Sequence, residues 1–125
     1  MSSAEHDPLL IDVLVALHRA CLRCERVVER TSLQRLQAEE FDQLALAKAV
    51  EQIGEISHRV IRKFPDFVLA HPEIELRYAF QMRNRIAHGY EDLSWSTLWQ
   101  VATRSVAEFR RALEPILIDA GEDLS

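Results

Sequence analysis

An arginine, an asparagine, a histidine and a tyrosine fall within eight residues of this chain, in the string RNRIAHGY at positions 83–90. Arg83 carries a guanidinium, a cation at any physiological pH, and His88 carries an imidazole, the side-chain type that ordinarily titrates nearest neutrality. A fixed cation near a proton carrier is a minimal kit for work on a phosphodiester. The cation offsets charge on the phosphorus oxygens, and the imidazole moves the proton. Tyr90, two residues beyond His88, adds a phenol that on bare physical grounds would be a base-stacking platform. Spacing alone does not unite them: on an ideal helix, residues five apart are about 140° apart in azimuth and about 7.5 Å apart along the axis. Only a helix that ends at His88 lets that side chain swing toward Arg83, and Gly89 sits where a left-handed helix cap would fall.

The charge pattern points to the same segment. The chain has 125 residues and a formal net charge of −5, which in bulk argues against a nucleic-acid binder. Its distribution argues otherwise. Residues 56–65 carry Arg59, Arg62 and Lys63, residues 76–90 carry Arg77, Arg83 and Arg85, and neither stretch contains a carboxylate. Arg59, Arg77 and Arg85 are therefore candidate nucleic-acid-binding cations, against the plainer reading of an ordinary solvated helix face.

The elements that must position these groups are helices. Only three glycines and four prolines interrupt a chain that is 48% hydrophobic, and the length suits one domain over residues 1–125. Asp7 followed by Pro8 is a helix start, and Leu10, Leu14, Leu17, Cys21, Cys24 and Val28 recur at spacings of four and three as far as about Arg30. A short helical turn is expected at residues 33–37. A second long helix from about Glu39 carries Leu46, Ala49, Ile53, Ile56, Val60 and Phe64 and stops before Pro65. Residues 65–72 read as a loop bounded by prolines. A third helix from about Glu73 carries Ile74, Tyr78, Met82 and Ile86, and Ser94 caps a last one with Leu98, Ala102, Val106, Phe109, Leu113 and Ile116 on its buried side. Pro115 is expected to kink or loosen its final turns. The fold class is all-α: an up-and-down bundle of four long helices plus a short one.

Cys21 and Cys24, with His18 three residues earlier, are too few for a structural zinc site, so packed reduced thiols are expected and no metal or other cofactor. The N-terminal residues lack a signal-peptide pattern, and no apolar run approaches membrane-spanning length, which points to a cytoplasmic protein with no membrane partner. His6, His18, His58 and His71 receive no functional assignment.

The string Arg83, Asn84, His88, Tyr90 resembles the Arg-x4-His-x-Tyr signature of HepT-like toxins in the HEPN superfamily. The resemblance extends to the IGE stretch at Ile53, Gly54 and Glu55, to His71, Pro72, Glu73 and Ile74, and to the helix from Trp95, covering residues 9–117. One departure is that family members often follow the tyrosine with an aromatic or small residue and then Val-Asp, where this chain has Glu91, Asp92, Leu93 and Ser94. The resemblance implies a HEPN-like homodimer that acts as a metal-independent endoribonuclease toxin. His88 would be the general acid/base, Arg83 the phosphate and transition-state ligand, and Asn84 and Glu55 supporting residues. Tyr90 would be the hydroxyl that a partner MNT nucleotidyltransferase antitoxin modifies with AMP.

Each residue has a plainer role. Arg83 could merely pair with Glu55, and His88 could merely cap a helix. Two other classes compete with the nuclease: a non-catalytic HEPN module that holds RNA or a nucleotidyltransferase, and a purely structural dimerisation protein. The complete Arg/His/Tyr set favours the nuclease.

Overall fold

The backbone of the computed structural model, described here for residues 7–89 and 93–125, starts its first helix where the sequence supplies a cap. Asp7 accepts the Leu9 N–H at 2.9 Å, and Pro8, which has no N–H to satisfy, takes the first position of α1 (Pro8–Glu29). Ser32 accepts the Arg35 N–H to start α2 (Leu33–Ala38), and an extended Glu39 turns the chain into α3 (Glu40–Lys63). Acidic Glu40 and Asp42 at the start of α3 and basic Arg62 and Lys63 at its end complement the helix dipole.

The stretch expected to be a loop contains another helix, α4 (Pro65–Ala70). Pro65 ends α3 and then occupies the first turn of its successor, where its missing N–H costs nothing, and Phe67 is buried beneath it. α5 (Leu76–Ala87) begins three residues later than expected, after turns at residues 71–75 in which His71 Nδ1 meets Glu73 Oε2 at 3.0 Å. Its buried line is Leu76, Met82 and Ile86, while Tyr78 is 40% exposed, contrary to the expected stripe. A run of four-residue steps drifts about 40° per step round a helix, so such a stripe rotates off the core.

The last helix is a composite. Ser94 accepts the Thr97 N–H and opens α6 (Trp95–Gln100), a π-helical turn follows at Val101–Ser105, and α7 (Val106–Asp119) continues the same rod. Thr103 Oγ1 donates to the Trp99 carbonyl at 2.7 Å, a side chain taking up an acceptor that the widened turn displaces. Leu117 is fully buried, whereas Ile116, expected on that side, is only partly covered. Pro115 is exposed, and the helix runs past it to Asp119.

Cross-helix pairs give the topology. Arg23 meets Gln52 and Thr31 meets Asp42, so α1 and α3 are antiparallel. His18 meets Glu114 and Glu25 meets Arg110, so α1 and α7 are antiparallel. Glu55 meets Arg83 and His58 meets Phe80, so α3 and α5 are antiparallel as well. The core runs between them from Leu10, Leu14 and Leu17 through Leu46 and Val60 to Leu98, Leu113 and Leu117. Described residues form no strand, and none of their helices is long and apolar enough to cross a membrane.

Candidate functional site

The site is built where α5 crosses α3 at Gly54. A Cβ placed there would fall on Arg83 Cβ and 2.5 Å from the Ala79 carbonyl oxygen, so only glycine permits this approach. The next residue on α3, Glu55, then lies beside Arg83, Oε1 to Nε at 3.9 Å. Arg83 Nη1 donates to Asn84 Oδ1 at 3.1 Å. Arg83 is thus held from two sides, half-buried at the margin of the apolar face. A guanidinium carries five N–H groups in a planar fork, so one amide oxygen and one distant carboxylate orient it while leaving capacity for a phosphate.

His88 is the C-cap of α5, its N–H donating to the Asn84 carbonyl at 3.1 Å, and its side chain is exposed. Gly89 follows at φ +88°, the left-handed conformation that lets the chain leave the helix, and its N–H reaches the Ile86 carbonyl at 3.1 Å. Asn84 therefore serves twice. Its side chain accepts from Arg83 and its carbonyl accepts from His88, so one residue links the cation to the helix end that bears the imidazole.

The candidate RNA-binding cations are dispersed. Arg77 is exposed on the flank of α5 shared by Phe80, Asn84 and His88, at spacings of three, four and four. Arg85 is exposed on the solvent side of the same helix, and Arg59 is exposed on α3 one turn beyond Glu55. Tyr90, together with Glu91 and Asp92, lies outside the described residues.

Two residues next to this site, one of them a histidine with no functional assignment from the sequence, meet across the helices. His58 of α3 and Phe80 of α5 stack with centroids 4.0 Å apart and planes 6° from parallel, one helical turn from the Glu55 and Arg83 pair. Their signal was positional: His58 follows Glu55 by three and Phe80 precedes Arg83 by three.

On the far side of α1, Arg110 Nε donates to both oxygens of Glu25 at 3.1 and 2.9 Å, and its Nη1 donates to Glu114 Oε2 at 3.0 Å. Buried His18 meets the same Glu114 oxygen through Nε2 at 2.9 Å. The hydrogen bond from His18, followed by that from Arg110, holds the Glu114 carboxyl below its usual range. Cys21 and Cys24 are free, buried thiols beside this cluster. Burial pushes Cys24 up to about 12 and raises Cys21 further. Among the described residues no group of three or more His, Cys, Asp or Glu side chains is placed to hold a metal ion.

Fold and site together define an all-α, HEPN-like bundle that ends one helix in an Arg-x4-His sequence, with the arginine anchored from the neighbouring helix. A family model described as Ribonuclease HepT-like matches residues 17–116, and the chain belongs to that family. A protein named Probable ribonuclease HepT, from Thermococcus cleftensis, is 30% identical over 74 residues. That match covers 59% of this chain and 64% of the relative's length. No solved structure matches the chain.

Proposed function

We propose that the protein is a metal-independent endoribonuclease, the toxin of a toxin–antitoxin pair, and that Arg83 and His88 carry the reaction. The reading rests on one observation above the others: the Gly54 crossing sets Glu55 beside Arg83, while Asn84 accepts from Arg83 through its side chain and from the His88 N–H through its carbonyl. RNA brings its own nucleophile. His88 takes the proton of a 2′-hydroxyl, the 2′ oxygen bonds to the adjacent phosphorus, and the 5′ oxygen leaves with a proton returned by an imidazole. A 2′,3′-cyclic phosphate and a 5′-hydroxyl result. Arg83 stabilises the crowded, doubly charged phosphorane between those steps. Asn84 and Glu55 keep the guanidinium from rotating away, and a homodimer would supply a second histidine, so that one acts as base and the other as acid.

Regulation would act on Tyr90, two residues past His88. Transfer of AMP to its hydroxyl by an MNT-type nucleotidyltransferase would add negative charge and bulk where the RNA phosphate approaches.

The test is incubation of the purified protein with total RNA in excess EDTA, beside Arg83→Ala and His88→Ala variants whose circular dichroism matches the parent. Cleavage by the parent alone is expected. A variant that cuts at the parent rate would remove that residue from the mechanism, and cleavage that needs added metal would overturn the chemistry. RNA bound but never cut would make the protein a binding module. With the nucleotidyltransferase and ATP, Tyr90 should gain the mass of AMP and cleavage should stop.

A further inference from the structure

The contact between α3 and α5 continues past the Arg83 site in a regular order. On α3, Glu55, His58 and Arg62 follow at spacings of three and four, and on α5, Asn84, Phe80 and Arg77 run the opposite way at four and three. Such spacings keep each set on one flank of its helix. Two contacts along it are seen directly: Glu55 with Arg83, the neighbour of Asn84, at 3.9 Å, and His58 stacked on Phe80 at 4.0 Å. Antiparallel packing brings Arg62 and Arg77 next, both exposed. Each rung advances about 5 Å, of the order of one nucleotide in an extended strand.

The rungs change character along this line. The first holds the proposed phosphate ligand, the second is a flat aromatic pair, and the third is cationic with no carboxylate in residues 56–65 or 76–90. An acidic protein thus sets an aromatic pair and two exposed arginines along one side of its proposed active site. A plane beside cations suits one ligand, a nucleobase with its own phosphates, because any base offers a π-face and every nucleotide a negative charge.

We propose that His58 and Phe80 form a nucleobase-stacking platform, and that Arg62 and Arg77 continue it as a phosphate track. Single-stranded RNA is then gripped on one side of the Arg83 site. The inference rests on the ribonuclease reading for the nature of its ligand. It adds a subsite for the nucleotide flanking the one that is cut, and it makes an unpaired strand, whose bases are free to splay, the preferred substrate over a duplex.

Binding is measured by fluorescence anisotropy with short 2′-fluoro oligouridine, which lacks the nucleophile, and with copies in which a single abasic nucleotide is walked along the strand. The parent protein should lose roughly tenfold in affinity at one abasic position, the value of one base stacked on an aromatic side chain. Phe80→Leu should lose about as much on the intact strand and nothing further on the strand abasic at that position. Arg62→Gln and Arg77→Gln change exposed residues and so leave folding intact. Each should flatten the dependence of log affinity on log salt by about 0.7, one released counterion on a single strand. A flat abasic walk, a Phe80→Leu loss that adds to the abasic loss, or unaltered salt slopes in both arginine variants would overturn the platform. The ribonuclease reading is judged separately by parent cleavage of the 2′-hydroxyl strand. Cutting with a flat walk keeps the nuclease and removes the platform, and a sensitive walk without cutting does the reverse.

Discussion

Gly54→Ala separates the fold's needs from those of the site. The added Cβ would fall on Arg83 Cβ and 2.5 Å from the Ala79 carbonyl oxygen, where ordinary contact begins at 3.4 Å. Backbone cannot step aside as a side chain can, so α5 must retreat from α3 by about 1 Å. Overpacking of this kind costs about 1 to 3 kcal/mol. Alanine in place of glycine inside a helix returns about 1 kcal/mol, which leaves a net loss of roughly 0 to 2 kcal/mol. For a domain of this size that is a fall in Tm of up to about 10 °C, and the protein stays folded at ordinary assay temperature.

The site is less tolerant. Arg83 and Glu55 already stand 3.9 Å apart, and a retreat of about 1 Å breaks the pair and reorients the guanidinium. A misplacement of that size costs a catalytic group on the order of 100-fold in rate. The assay pairs a thermal melt followed by circular dichroism with single-turnover cleavage of a labelled RNA well below the melting range. A mild drop in Tm with a cleavage rate reduced about 100-fold is expected. Parent-like cleavage, or a rate that falls only with the folded fraction, would refute the claim that this crossing positions Arg83.

Three further outcomes follow from other contacts. Ser94→Ala removes the acceptor for the Thr97 N–H, 3.1 Å away, and should cost about 1 kcal/mol in a urea titration, whereas an unchanged midpoint would show the cap contributes nothing. Because burial raises both thiols, Cys24 to about 12 and Cys21 beyond it, a disulfide reagent at pH 8 should leave them unmodified in the native protein and react with both in denaturant; rapid native labelling would contradict their burial. Glu114→Gln should cost about 1 to 2 kcal/mol at neutral pH by removing the negative charge that strengthens the hydrogen bonds from His18 and Arg110. Since the folded carboxyl lies below its unfolded value near 4.5, that contribution is present above 4.5 and is lost as pH falls through the folded value, so parent and variant should converge in acid; a gap independent of pH would refute the linkage.

What the sequence made legible was whatever depends on local chemistry. Asp7, Pro8 and Ser94 announce helix starts because capping uses only neighbouring atoms, and the stripe from Leu10 to Cys24 shows which side of α1 is buried. α4 was illegible because Pro65 signals an end and a beginning alike, and six residues are too few to display a period. The π turn inserts its extra residue without any breaker, and the fours from Leu98 through Ala102 to Val106 span it; Phe109 and Leu113 beyond it are buried as expected, and only the last step differs, a four to Leu117 in place of a three to Ile116. Tyr78 was misplaced by a stripe of uniform fours, where the helix in fact buries Leu76, Met82 and Ile86.

The site divides along the same line. Arg83, Asn84 and His88 share one helix, so their order and Gly89's reversal could be read from spacing. Their relation to α3 could not, because it depends on which residue of α3 lies opposite which residue of α5. That register is set at Gly54, the one position on α3 where a missing Cβ lets α5 settle against the backbone. Once Gly54 meets Ala79 and Arg83, antiparallel geometry leaves little choice: Glu55 must lie by Arg83 and His58 by Phe80. A slip of one turn would set Glu55 near Phe80 and part it from Arg83. Gly54 therefore acts on the proposed chemistry without touching a substrate: its missing side chain selects the register that aims the cation.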